Sequence, residues 1–199
     1  INTREHMTQL NTASIRSLEG TIALQSGFLS NKPMSVRKSL GQYFTGELVA
    51  NYMASLVKKP HSETVKILDA GAGTGILTLA TAFRCLHLGC KSVHATLYEL
   101  DQEALPYLEQ TLAYATQAFE QRGGHFTFEI RNSDFVLARD DIHDSRNRYD
   151  ISVINPPYFK YSAKTSPYAK KTSDLYRGDP NIYASFMAIV VSSMKDGGQ

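Results

Sequence analysis

A doubly wound α/β fold is what this sequence predicts: a mostly parallel sheet with helices covering both faces. Three features point to it. From Val65 to Met194, short apolar runs alternate with longer stretches of helical periodicity, the pattern of strand–helix–strand units. Between the first such strand and its helix lies a glycine-rich loop, Gly71-Ala72-Gly73-Thr74-Gly75. The fourth run, Tyr149-Asp150-Ile151-Ser152-Val153-Ile154, leads straight into Asn155-Pro156-Pro157-Tyr158. That tetrapeptide therefore sits at the carboxyl end of a strand, where open α/β sheets hold their ligands.

Residues 1–30 are mixed and mostly polar, which predicts one helix and a poorly anchored lead-in. On that basis 1–35 is set apart as a helical lead-in and 36–199 as the main domain. Leu48, Val49, Tyr52, Met53 and Leu56 recur at helical spacing, so a helix is expected from about Thr45 to Lys58, closed by Pro60. Val65 to Leu68 is a first strand, and Ile76 to about His87 the helix after the glycine loop. Val93 to Tyr98 is a second strand. A long helix follows from about Gln102 to Gln121, ended by Gly123-Gly124. Phe126 to Ile130 and Ile151 to Ile154 are the third and fourth strands, and Asn181 to Met194 is the last helix. Right-handed crossovers between parallel strands favour the doubly wound arrangement. After that helix come Asp196-Gly197-Gly198, a stop that leads into a further strand. The sheet is thus expected to be truncated at its C-terminal end, with more of the protein beyond Gln199.

Composition narrows the class. At 199 residues the chain fits one domain with a substantial core, and 42% hydrophobic with 20% charged residues is ordinary for a globular protein. No apolar run reaches the roughly 18 residues a membrane span needs, and no signal peptide pattern opens the chain. Cys85 and Cys90 lack partners at zinc-ligand spacing and read as buried free thiols in a reducing cytoplasm. The six histidines show no pattern that argues for a metal. A net charge of +2 gives no global argument for nucleic acid, but its distribution does. Lys160, Lys164, Lys170, Lys171 and Arg177 stand against one acid, Asp174, interleaved with Tyr158, Phe159, Tyr161, Tyr168 and Tyr176. Cations beside stacking rings suit a loop facing nucleic acid; a solvated loop with an accidental charge cluster is the alternative.

Asn155-Pro156-Pro157-Tyr158 carries the most chemistry. Two prolines supply no N–H and hold fixed φ, a stiff corner that leaves the Pro156 carbonyl and the Asn155 amide open to donors. An exocyclic amine has two N–H groups to give them, and Tyr158 offers a ring face. A simple Asn-Pro turn is the competing reading. The glycines Gly71, Gly73 and Gly75 permit a tight turn and close approach of backbone to a nucleotide-like cofactor. Their G-x-G-x-G spacing differs from the G-x-G-x-x-G of dinucleotide sites. Glu99 ends the second strand near the offset at which an acid takes a ribose hydroxyl pair. Asp134-Phe135, after the third strand, pairs an acceptor for an adenine amine with a ring to cover its face, although the dipeptide alone is commonplace.

Together these residues resemble the S-adenosylmethionine-dependent amino-methyltransferases. In particular they resemble the restriction–modification DNA adenine-N6 methyltransferases that carry their cofactor motifs first. Leu40-Gly41-Gln42-Tyr43-Phe44-Thr45 is similar to the family segment that closes over the methionine end of the cofactor, with Gly46 where Pro usually follows. Asn155-Pro156-Pro157-Tyr158-Phe159-Lys160 and Asn181-Ile182-Tyr183 are most similar to the PstI/BsuBI-type enzymes. The resemblance covers roughly residues 36–199 and implies a Rossmann-like methyltransferase fold. It implies that Thr45 and Asp69 hold the methionine moiety over the loop Gly71–Gly75. Glu99 would bind the ribose, Asp134 the adenine amine and Phe135 the adenine ring. Asn155 and Pro156 would bind the target amine, with Tyr158 stacked on the base. S-adenosyl-L-methionine is then the cofactor, double-stranded DNA with a flipped adenine the substrate, and a cognate restriction endonuclease a candidate partner. The expected location is the cytoplasm of a bacterium or archaeon.

Three other readings stay open. A glutamine amide also presents two N–H donors, so a release-factor-type glutamine-N5 protein methyltransferase, or an RNA methyltransferase, shares the site chemistry. A binding or recognition subunit without activity would not need Asn155. A nicotinamide dehydrogenase is disfavoured by the glycine spacing and the lack of a proton relay.

Overall fold

The computed structural model describes residues 18–33, 35, 43–142, 148–162, 164–175 and 181–199. Four parallel strands form the sheet: β1 (Thr64–Ala70), β2 (Ser92–Tyr98), β3 (His125–Arg131) and β4 (Ile151–Ser152), in the order β3-β2-β1-β4. β1 and β2 pair in register from Thr64↔Ser92 to Ala70↔Tyr98, and β2 and β3 from Ser92↔His125 to Tyr98↔Arg131. The chain steps outward through β2 and β3, then returns to the free side of β1 as β4, paired at Ile67↔Ile151 and Leu68↔Ser152. Strand order therefore reverses between β1 and β4, and a crevice opens at their carboxyl ends.

Alternation along β1 covers both faces. Val65 and Ile67 belong to one core cluster, Leu68 and Ala70 to the other. The first cluster takes in α3 (Ile76–His87) and α4 (Leu105–Glu120). The second is built on α7 (Ile182–Ser193) with Phe135, Val136 and the short helix α5 (Arg139–Ile142). Two short features escape the sequence periodicity. β4 pairs over two residues instead of four, since Asn155-Pro156-Pro157 follows and proline has no ladder donor. Helix α6 (Pro167–Thr172) starts on Ser166, whose Oγ accepts from Tyr168 N–H at 3.2 Å.

α2 spans Glu47–Ser55, within the expected helix, and of its periodic apolar residues only Met53 packs on the core. Leu48 is 83% exposed and Tyr52 65%, with Val49 and Leu56 also exposed, while Ala50 and Ala54 are buried. Small side chains four apart let α2 lie close on α3, and the bulky residues are left outside. The preceding helix, α1 over 18–31, is the one helix expected in this region, and it is anchored by a buried face. Its buried stripe is Leu18, Thr21, Gln25 and Phe28, continued by Lys32. Three of these five are polar, which hides the stripe from a hydrophobicity reading. Lys32 pairs with Asp101, and with Glu103 at 3.1 Å, over the Phe28 ring. Residues 1–17 of the lead-in lie outside the described residues.

The turn from β1 into α3 is set by glycine. Gly75 caps α3 at φ +85°, and a Cβ there would stand 2.7 Å from Leu108 Cδ1 and 3.1 Å from Thr111 Cγ2 of α4. Both neighbours are fully buried, so neither can yield cheaply. Gly75→Ala should therefore cost roughly 2–4 kcal/mol of left-handed strain and overpacking, read as a lower urea midpoint at unchanged m.

Asp69, near the end of β1, is fully buried. Its Oδ2 accepts from Thr78 Oγ1 at 2.6 Å, and Oδ1 has no partner among the described residues. Burial pushes its pKa up to about 7, opposed by the Thr78 bond and aided by the charge of Glu99. A raised carboxyl pKa means the folded state holds the proton more tightly than the unfolded chain. Its stabilising effect is full at low pH and is lost as pH rises from about 4 through about 7. Asp69→Asn keeps an acceptor for Thr78, and unfolding measured across that window should show this part of the slope removed.

Candidate active site

A cavity of about 370 Å³ occupies the crevice at the carboxyl ends of β1, β2 and β4. The glycine loop forms one wall. Gly71 and Ala72 N–H both donate to the Tyr98 carbonyl, at 2.8 and 2.9 Å, which ties the loop to the end of β2. Gly73 N–H donates to Glu99 Oε2 at 2.6 Å, and Asp101 N–H to Oε1 at 2.7 Å. Gly73 lies at φ +56° under the Phe44 ring, 3.1 Å from where a Cβ would be. Burial raises the pKa of Glu99, and the amides of Asp101 and Gly73 counter that by favouring the charged form. Its carboxylate is held by backbone, leaving its remaining lone pairs for a ligand with hydroxyl donors.

The opposite end is apolar with one acid. The Phe135 ring is buried edge-on against Tyr98, centroids 5.1 Å apart, and tilted against Phe186 at 5.0 Å. Asp134 Oδ1 accepts the Val136 and Leu137 N–H groups at 2.9 and 3.0 Å, and Oδ2 accepts the Tyr168 hydroxyl at 2.8 Å.

Of the tetrapeptide, Asn155 and Pro157 line the cavity. Asn155 Nδ2 donates to the Tyr43 carbonyl at 2.6 Å and to Thr45 Oγ1 at 3.2 Å. With the nitrogen committed to two acceptors, Oδ1 is the acceptor left, and the Tyr158 hydroxyl donates to it at 3.3 Å. Pro156 is buried. Tyr158, 54% exposed, stands outside the lining, edge-on to Tyr43 at 5.7 Å and nearly parallel to Tyr183 at 6.1 Å. Thr45 lines the cavity, whereas Asp69 lies behind the glycine loop and reaches only Thr78.

The basic stretch is less uniform than its composition. Lys160, Lys164 and Lys170 are exposed, and Lys160 forms a backbone bridge with Asn181. Lys171 is turned onto Asp140 at 2.5 Å, so its ammonium is engaged within the protein. Arg177 lies outside the described residues. Asp174 grips Arg139 through both carboxylate oxygens, at 2.5 and 2.6 Å.

Four residues have a place at the site that the sequence does not assign. Gln25 ties the walls together: Nε2 donates to the Thr45 carbonyl at 3.0 Å and Oε1 accepts from Thr74 Oγ1 at 3.1 Å. Tyr168, Phe186 and Tyr183 come from α6 and α7. Tyr168 stands in the sequence only among the rings of the basic loop and Tyr183 only in the Asn181-Ile182-Tyr183 run, while Phe186 lies one helical turn after Ile182, which also lines the cavity. Among the described residues no group of His, Cys, Asp and Glu could hold a metal ion, and no helix is long and apolar enough to cross a membrane. Cys85 and Cys90 are buried and free.

A family model of the N-6 DNA methylases matches residues 26–199, which takes in the glycine loop, Glu99, Asp134 and Asn155. The chain is 30% identical over 180 residues to the type II methyltransferase M.BsuBI of Bacillus subtilis, covering 86% of this chain and 35% of that protein. It is 30% identical over 168 residues to M.PstI of Providencia stuartii, covering 83% and 33%. The chain thus spans about a third of the length of these relatives. Its fold superposes on the methyltransferase subunit of a type I restriction–modification system from Streptococcus thermophilus. The TM-score is 0.56 at 19% identity, over 78% of this chain and 33% of that one. With the doubly wound sheet, the glycine loop and the Asn155 corner inside the matched span, this chain belongs to the N-6 DNA methylase family, on the Rossmann-like methyltransferase fold.

Proposed function

We propose that this chain is the catalytic domain of a site-specific DNA methyltransferase. It transfers a methyl group from S-adenosyl-L-methionine to the N6 amine of adenine, as the modification activity of a restriction–modification system. The observation that carries the reading is the fixed polarity of Asn155. Its Nδ2 is spent on Tyr43 and Thr45, so Oδ1 faces an incoming group as an acceptor. The cavity suits the cofactor on its own chemistry. Gly71 and Gly73 hold left-handed backbone at φ +88° and +56°, a Cβ on Gly73 would press on the Phe44 ring, and Glu99 offers lone pairs to a ribose hydroxyl pair. Phe135 and Phe186 make an apolar slot beside Asp134, which accepts an adenine amine. Thr45 stands at the methionine end. Asp69 acts from behind, through Thr78 and the turn it braces.

The cofactor supplies an electrophilic sulfonium methyl. The residues of this chain supply position. A target adenine leaves the duplex, since its amine is out of reach while paired and stacked. Tyr158 gives up Asn155 Oδ1 and offers its ring face, replacing about 1–3 kcal/mol of lost stacking. Asn155 Oδ1 and the Pro156 carbonyl accept the two amine hydrogens, which draws the nitrogen lone pair out of conjugation and aims it into the cavity. No strong base is needed, because the amine becomes acidic only after it has gained the methyl group. Positioning and electrostatics therefore make most of the rate. Lys160, Lys164 and Lys170 stand exposed to meet phosphates, and a cognate endonuclease is the partner this role implies.

Full-length protein with labelled S-adenosylmethionine and unmethylated bacterial DNA is expected to yield labelled N6-methyladenine. Bound cofactor without label in DNA would overturn the substrate class and turn attention to RNA or protein acceptors. Asn155→Ala should lower methyl transfer by about 1,000-fold while the cofactor Kd moves less than about tenfold. Comparable loss of both would make Asn155 structural. Tyr158→Ala should weaken engagement of a paired target about tenfold more than that of a pre-mismatched one, by competition binding.

A further inference from the structure

Tyr168 was read from the sequence only as one ring among several in a basic loop. In the fold it stands on α6 and lines the cavity between Asp134 and Phe159. Its hydroxyl donates to Asp134 Oδ2 at 2.8 Å, and its ring is tilted against Phe159 at 6.0 Å and Tyr161 at 5.4 Å. Helix α6 is strapped to α5, the element that follows Asp134-Phe135. Lys171 reaches Asp140, and Arg139 reaches both Asp174 and the Lys171 carbonyl. The Tyr168 hydroxyl is thus held by fixed surroundings. Burial and the neighbouring Asp134 charge push its pKa up to about 12, so it remains an O–H donor at neutral pH.

The lone pairs of Asp134 can be counted. Oδ1 already accepts two backbone N–H groups, and a carboxylate oxygen has two acceptor sites. Oδ2 accepts one hydrogen from Tyr168, which leaves one acceptor site on that oxygen. Because the only hydrogen of Tyr168 is committed to Asp134, the phenol oxygen also faces a ligand as an acceptor. A group with two N–H donors matches this pair; a carbonyl in the same place meets acceptors alone and leaves them unpaired.

We propose that Tyr168 is a positioning and selectivity residue of the cofactor cavity, holding Asp134 and adding a second acceptor so that the site takes a 6-amino purine over a 6-oxo purine. The proposal rests on the reading of Asp134 as the partner of the cofactor's adenine amine. The residue acts on the base of the cofactor, remote from the reacting methyl.

Calorimetric titration of the full-length protein with S-adenosylhomocysteine and its 6-oxo analogue S-inosylhomocysteine tests it. The wild type is expected to bind the adenine compound much more tightly. Tyr168→Phe keeps the ring and its packing on Phe159, so an unchanged thermal midpoint is expected. It should weaken S-adenosylhomocysteine about tenfold and the inosine compound less than twofold, narrowing the selectivity ratio. In an Asp134→Asn background the same substitution should add less than about twofold. An equal loss for both compounds, or no loss for either, would overturn the proposal while leaving the cavity a cofactor site. A wild type that binds neither compound would overturn the cofactor reading itself, and this proposal with it.

Discussion

Asn155 donates its side-chain N–H groups to the Tyr43 carbonyl and to Thr45 Oγ1, and the polarity that the β4 corner presents to the cavity depends on that link. It joins the end of β4 to the segment entering α2, two stretches more than a hundred residues apart in the chain. The segment carrying Phe44 and Thr45 is also held by Gln25, by the Phe28 ring and by the packing of Phe44 over Gly73. The Asn155 bonds decide what the site can do. An amide free to flip could present nitrogen or oxygen, but here the nitrogen is used up and the oxygen is what remains. The stiffness of Pro156-Pro157 matters for the same reason, because a mobile corner would lose that polarity.

The acids of the cavity follow a common design. Glu99 is held by the Gly73 and Asp101 amides, and Asp134 by Val136, Leu137 and the Tyr168 hydroxyl. Each carboxylate is oriented by hydrogen bonds chiefly from backbone, so the direction of its remaining acceptor sites is fixed. Asp101 is matched instead by Lys32 from the end of α1. The N-terminal helix therefore takes part in the site: Gln25 and Lys32, one apolar-looking turn apart from Phe28, fasten two walls of the cavity.

The strand–helix alternation, the glycine loop and the addresses of Glu99, Asp134 and Asn155 were legible in the sequence, because each follows from local pattern. Short apolar runs mark β1 to β3, and glycine and proline mark where backbone must turn. Helix α2 was legible as well, but not which of its residues are buried, since Leu48, Val49, Tyr52 and Leu56 end up exposed. Periodicity reports that a helix has an apolar side. It does not report that Ala50 and Ala54 allow the closer approach to α3.

The sequence by itself thus determined the sheet, the turn chemistry and the kinds of groups that reach the crevice, since neighbours along the chain set all three. Only the tertiary structure decided which way Asn155 presents its amide, that Lys171 is spent on Asp140, and that Tyr168 meets Asp134. Those outcomes depend on hydrogen-bond partners supplied by remote segments. A side chain with several possible partners takes its role from the ones that the fold brings within about 3 Å.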